Sequence, residues 1–118
     1  MKSETYHEQL KRKMDEYIHL IYRLTKKFPK DEIYGVTSQI RRVALSVILN
    51  YIEGYARGRI KVHKNFLEIA YGSLQESKYI LIFSLEENYL SKEEFDAAAK
   101  LADEIGAMLW GIIRRIKI

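Results

Sequence analysis

The chain holds one proline, Pro29, and its six glycines stand singly. With so few helix breakers, the backbone is free to run in long helices and has few places to turn. The apolar residues agree. From Tyr6 they fall at Leu10, Met14, Tyr17, Ile18, Ile21, Leu24 and Phe28, on one face of a helix expected to close near Lys27, just before Pro29. After the connection PKDEIYG a second periodic run spans about Val36 to Arg57, with Gly58 expected as its stop. A third runs from about Lys61 to Asn88 through Phe66, Ile69, Ala70, Ser73, Ser77, Ile80, Leu81 and Ser84. The fourth opens on an S-x-x-E capping box, Ser91 with Glu94, with Leu90 and Phe95 placed as a hydrophobic staple. It continues through Ala98, Ala102, Ile105, Leu109, Ile112, Ile113 and Ile116. Four long helices joined by short loops predict one all-α domain over residues 1–118, an up-down-up-down four-helix bundle.

Composition narrows the function classes. A 118-residue chain with 47% hydrophobic and 31% charged residues has room for one core. The absence of cysteine removes disulfides, thiolate metal sites and cysteine nucleophiles, and agrees with a reducing, cytoplasmic setting. The stretch MKSETYHEQL has no apolar signal region, and VALSVIL and YILIFSL fall short of a span of about 20 residues, so neither secretion nor a membrane partner is expected.

The second helix is more apolar than a lone bundle needs. Val36, Ile40, Val43, Ala44, Val47, Tyr51 and Tyr55 form one face, while Leu45, Ile48, Leu49 and Ile52 form another that a monomer leaves in water. The third helix repeats this at Tyr79-Ile80-Leu81-Ile82-Phe83. Exposed apolar surface of this kind marks association, so the chain is expected to bind copies of itself, the alternative being a tightly wrapped monomer. Between these faces runs a polar stripe of Arg42, Ser46, Asn50, Glu53 and Arg57. Ser46, Asn50 and Glu53 read as a polar seam at a helix or subunit interface, with Arg41, Arg42 or Arg57 supplying charge-assisted bonds, and Tyr79 and Phe83 of the third helix are expected at the oligomer interface. Gly54, Gly72, Gly106 and Gly111 read as points of close helix approach.

Catalysis finds little support. A di-metal carboxylate bundle needs a Glu-x-x-His on each of two helices, but Glu4/His7 and Glu16/His19 share the first helix and lie roughly 18 Å apart at about 1.5 Å per residue. The two histidines read instead as surface groups paired with nearby glutamates. Glu53 is the best lone acid or base, yet the second helix offers it no histidine partner. No catalytic residue, metal site or cofactor is expected.

Charge is the stronger signal. Twenty Lys and Arg against sixteen Asp and Glu give a net charge of +4. An up-down bundle gathers the start of the first helix, the turn after the second and the end of the fourth at one end. That end would hold Lys11, Arg12, Lys13, Arg57, Arg59, Lys61, Lys64, Arg114, Arg115 and Lys117. The other would hold Glu86, Glu87, Glu93, Glu94 and Asp96. A basic rim recruits phosphate backbones; cations at helix C-termini equally complement the helix dipoles. Trp110, one turn before Arg114, suits stacking on a base, an interface anchor or a cation–π pair with Arg114.

The stretch IYRLTKKFPKDEIYGVTSQIRRVALSVILNYIEGYARG, residues 21–58, resembles the family of 23S rRNA intervening-sequence proteins, and FLEIAYGSLQE, residues 66–76, extends the likeness. Its most specific part is Phe28-Pro29, Glu32, Tyr34-Gly35, Gln39-Ile40-Arg41-Arg42, Ser46, Asn50 and Glu53-Gly54. The resemblance implies a four-helix bundle assembled as a barrel-like homopentamer. It also implies kinship with the accessory protein of diversity-generating retroelements, hence RNA or DNA and a reverse transcriptase as partners, and no catalytic activity. The family often has proline where Ile48 stands, and commonly a serine-led cap on the third helix where Ile60 to His63 provides none. Arg41 and Arg42 match the family pattern and serve either a ligand or the oligomer.

Overall fold

A computed structural model describes residues 3–117. Four α-helices make up the fold: α1 (Tyr6–Thr25), α2 (Val36–Ala56), α3 (Ile60–Glu86) and α4 (Lys92–Ile113), with a single 3-10 turn at Lys30–Glu32. No strand occurs among the described residues. Each helix packs on its neighbours in sequence, and α1 meets α4 to close the ring. Every pairing is antiparallel. The end of α1 meets the start of α2 through Arg41 and Thr25, and Gly54 of α2 lies on His63 and Phe66 of α3. Lys78 of α3 pairs with Asp103 of α4 at 2.5 Å, and Lys13 of α1 with Glu104 of α4 at 3.2 Å. At about 1.5 Å per residue the 27-residue α3 is roughly 40 Å long and sets the longest dimension of 44 Å.

Helix starts follow local chemistry. Ser91 accepts from the Glu94 N–H while the Glu94 carboxylate accepts from the Ser91 N–H, completing the expected capping box. Thr5 and Glu8 build a second box at the start of α1. α3 starts at Ile60 with no side-chain cap, as the sequence of that turn implies.

Two helix stops fall close to where they are expected but are made differently. Gly58 does not adopt a left-handed conformation; α2 ends because Arg57 turns extended, at φ −92° and ψ 136°. α3 stops at Glu86 because Asn88 takes φ 63°, letting the Tyr89 and Asn88 N–H groups donate back to the Ser84 and Leu85 carbonyls at 2.8 and 3.0 Å. This is the Schellman closure, with asparagine in the place usually held by glycine.

The core is formed largely by residues that the periodicity selects, including Leu10, Met14, Tyr17, Ile21, Ile40, Val47, Leu81, Ile105 and Leu109. On α3 it also takes Leu67 and Leu74, outside the expected set, while Ile69, expected on the inner face, is 43% exposed. The serines on the inner face of α3 are buried with partners. Ser77 donates to the Leu74 carbonyl and faces the Tyr17 hydroxyl at 2.7 Å, while Ser84 donates to the Ile80 carbonyl. Burial pushes the Tyr17 phenol up to about 12, so it stays protonated as a donor.

Candidate functional site

The antiparallel ring brings the start of α1, the α2–α3 turn and the end of α4 together. The Tyr6 hydroxyl donates to the Met108 carbonyl at 3.0 Å, fixing α1 to α4 there. The hydroxyl of Tyr51, on α2, faces His7 Nδ1 at 2.5 Å and fixes α1 to α2. Burial pushes the Tyr51 phenol well above its ordinary range. Tyr55 lies edge-on between two imidazoles, His7 at 4.6 Å and His63 at 4.4 Å between ring centroids. His63 Nδ1–H donates to the Gly54 carbonyl at 2.7 Å, in the last turn of α2. A groove of about 370 Å³ opens against His7, Lys11, Tyr51, Ile52 and Tyr55.

This aromatic and histidine cluster beside the basic residues was not anticipated from the sequence. His7 and His19 read there as partners of glutamates; instead His7 bonds Tyr51, and His19 pairs with Asp15 at 3.4 Å. Glu4 and Glu16 both bond Arg12, at 2.8 and 2.9 Å. The signal was present in the Tyr51/Tyr55 spacing, but it acquires meaning only once α1 is known to cross α2 at that height.

The cations at this end divide into two sets. Arg12 is held by Glu4 and Glu16, Lys13 by Glu104, and Arg57 by Glu53 while its guanidinium lies 5.3 Å from the Phe66 ring. Lys11, Arg59, Lys61, Lys64, Arg114, Arg115 and Lys117 have no carboxylate partner among the described residues. The opposite end is less acidic than its carboxylates suggest. Lys27 pairs with Glu94 and Lys92 with Asp96 there, and Lys26 and Lys30 lie close by in the chain. Trp110 is half exposed and packs on Tyr71 of α3, at 5.5 Å between centroids.

The polar stripe of α2 resolves into separate contacts. Asn50 Nδ2 donates to Ser46 Oγ and to the Ser46 carbonyl, both at 2.8 Å, and Ser46 Oγ meets Ser73 Oγ of α3 at 2.9 Å. Glu53 bonds Arg57. Arg42 donates to Gln39 at 2.7 Å on its own helix. Arg41 makes no bond to the stripe: its Nε donates to Thr25 Oγ1 at 2.8 Å, and its guanidinium lies 4.8 Å from the Tyr22 ring, both on α1. On α3, Tyr79 is two-thirds exposed and Phe83 partly buried. Outward-facing Leu45, Leu49, Ile52, Ile69, Tyr79 and Ile82 remain exposed on the α2 and α3 surfaces.

Among the described residues no group of three or more His, Asp and Glu side chains converges as a metal site, and no helix is long and apolar enough to cross a membrane. The fold defines an all-α bundle with a cationic end fringed by tyrosine and histidine. The chain belongs to the 23S rRNA-intervening sequence protein family, whose model matches residues 7–111. Its structure is similar to the crystal structure of a protein of unknown function from the S23 ribosomal protein family of Bacteroides thetaiotaomicron. The TM-score is 0.79, over 88% of this chain and 97% of that one, and at 23% identity the likeness is one of fold. No curated protein matches the chain.

Proposed function

We propose that the protein is a non-enzymatic, self-associating bundle that holds RNA or DNA at its basic end. The observation that carries this reading is the convergence of Lys11, Arg59, Lys61, Lys64, Arg114 and Arg115, which come from three separated segments and are not neutralised by carboxylates among the described residues. Cations left outside ion pairs exchange their counterions for phosphates, and that exchange supplies affinity without sequence preference. Tyr55 and His7 beside them offer ring surface to unpaired bases. The exposed apolar surface of α2 and α3 takes a second copy of the chain, and five copies is the number that the family resemblance implies. A ring of parallel subunits places five basic ends on one rim.

Ribosomal RNA is the first probe, given the family's description. Fluorescence anisotropy with a labelled rRNA fragment is expected to show log affinity falling linearly with log salt concentration. Joint substitution Arg59→Glu, Lys61→Glu and Lys64→Glu is expected to abolish binding while leaving the helical circular dichroism unchanged. Binding that survives this reversal, or that ignores salt, refutes the reading. A protein partner such as a reverse transcriptase is favoured by the same exposed apolar surface, and its retention after nuclease treatment, with RNA binding absent, would replace the first reading.

A further inference from the structure

The family-like segment from Phe28 to Arg42 lies at the end of the bundle away from the basic rim, and the function proposed above leaves it unused. A cavity of about 230 Å³ opens there between the end of α1 and the start of α2, lined by Thr25, Thr37 and Arg41 together with Phe28 and the exposed Lys26 and Lys30. Thr37 is 5% exposed, and its Oγ1 is buried without a hydrogen-bond partner in the protein. A buried hydroxyl in that state is costly, and few occur in native folds.

Arg41 has the complementary defect. Its Nε is committed to Thr25 Oγ1, and Thr25 Oγ1 donates in turn to the Ile21 carbonyl at 2.7 Å. These bonds and the Tyr22 ring hold the guanidinium in place, yet Arg41 is partly buried and has no carboxylate partner among the described residues. Lys26 and Lys30 likewise have no carboxylate partner among them. The nearby Glu32 is engaged elsewhere: Oε1 accepts from the Val36 N–H at 3.2 Å and Oε2 from the Tyr89 hydroxyl at 2.8 Å. Gly35 makes that possible, since a Cβ there would stand 2.6 Å from Glu32 Oε1. Thr37 sits in the first turn of the 21-residue α2.

We propose that this cavity binds a phosphate group, with the Thr37 hydroxyl donating one hydrogen bond, the free Nη groups of Arg41 donating a fork, and Lys26 and Lys30 balancing the remaining charge. Arginine is the side chain suited to this role, because its planar fork matches two oxygens of one oxyanion. The volume accommodates a phosphate with a small organic portion against Phe28. The site is separate from the basic end, so either can fail without the other.

The test is thermal unfolding and calorimetric titration of the full chain with inorganic phosphate, with ionic strength balanced by chloride. Wild type is expected to show a saturable rise in Tm with phosphate. Thr37→Val keeps the shape and removes the unpartnered hydroxyl, so it is expected to unfold at the same or a higher temperature in chloride yet bind phosphate about tenfold more weakly. Arg41→Lys keeps the charge, loses the fork and is expected to weaken binding comparably. The variant Arg59→Glu/Lys61→Glu/Lys64→Glu is expected to retain the phosphate response. Tighter binding of a 5′-phosphorylated oligonucleotide than of its 5′-hydroxyl form identifies a nucleic-acid end as the source, and equal binding of the two identifies free phosphate; both support the site. No saturable response, an unchanged affinity in Thr37→Val, or an equal response to acetate overturns it.

Discussion

At Gly54 and Gly72 helix propensity alone favours alanine, by about 0.5 to 1 kcal/mol each. Their surroundings differ. A Cβ on Gly54 would meet the His63 carbonyl oxygen and the Phe66 Cβ, each at 3.2 Å. Both belong to α3 near its backbone, so relief requires the two helices to separate and the 2.7 Å bond from His63 to the Gly54 carbonyl to lengthen. Overpacking of this kind typically costs about 1 to 3 kcal/mol, which outweighs the propensity gain. Gly54→Ala is therefore expected to lower the urea midpoint of unfolding by an amount equivalent to about 1 kcal/mol or more; a midpoint that rises would show that α3 yields easily. Gly72, by contrast, faces open space, with no atom within 4 Å of an added Cβ. The expectation that it marks close approach of helices is not met within the chain, and it lies instead on the outward surface of α3.

At the scale of the element, the two capping boxes tie helix ends to pH. The Lys27 ammonium and then the Ser91 N–H hold the Glu94 carboxyl below its ordinary 4.5, while the N–H and hydroxyl of Thr5 lower Glu8. A carboxyl with a lowered pKa binds its proton less tightly in the folded chain than in the unfolded one. Stability from these boxes is thus complete above about pH 4.5 and is lost as pH falls through the lowered values. Ser91→Ala is expected to cost about 1 kcal/mol at neutral pH. It also removes the smaller share of the lowering that comes from the Ser91 hydroxyl, while the backbone N–H at that position remains. Thermal unfolding followed from pH 6 to pH 3 is therefore expected to show a slightly shallower acid loss than wild type; a steeper loss would contradict the coupling. The Ser91 box was legible because its residues are contiguous and the motif is local. Helix positions and most of the buried residues were legible for the same reason, since periodicity is a property of the chain. On the apolar α3, however, the inner face was read partly off register: Leu67 and Leu74 are buried and Ile69 is exposed. The end of α3 was legible to within about a turn, near Asn88, but its left-handed closure was not, because asparagine is only an occasional left-handed residue.

Across the whole molecule, what could be read was which segments share an end, because antiparallel order follows from short loops. What could not be read was which cations stay outside ion pairs: Arg12 reaches Glu4 across eight residues, and Lys13 reaches Glu104 on another helix. The exposed apolar surface was legible as excess, since the core face of α2 was already filled by Ile40, Val43, Ala44, Val47 and Tyr51. Leu49 is 54% and Ile69 43% exposed, and with Leu45, Ile52, Tyr79 and Ile82 they form surface that one chain does not cover. The proposed assembly removes that surface from water at about 25 cal/mol per Å², a driving force that a buried charge reverses. Wild type is accordingly expected to elute with the mass of five 14.0 kDa chains in light scattering at moderate salt. Leu49→Glu with Ile69→Glu is expected to give a 14.0 kDa monomer with unchanged helix content, because neither side chain is buried in the bundle core. Since the basic ends then no longer share a rim, RNA affinity in the dissociated variant is expected to fall at least tenfold even though every cation is retained. A wild-type mass of 14.0 kDa would refute the assembly. A monomeric variant that still binds RNA at full strength would detach the binding end from the ring.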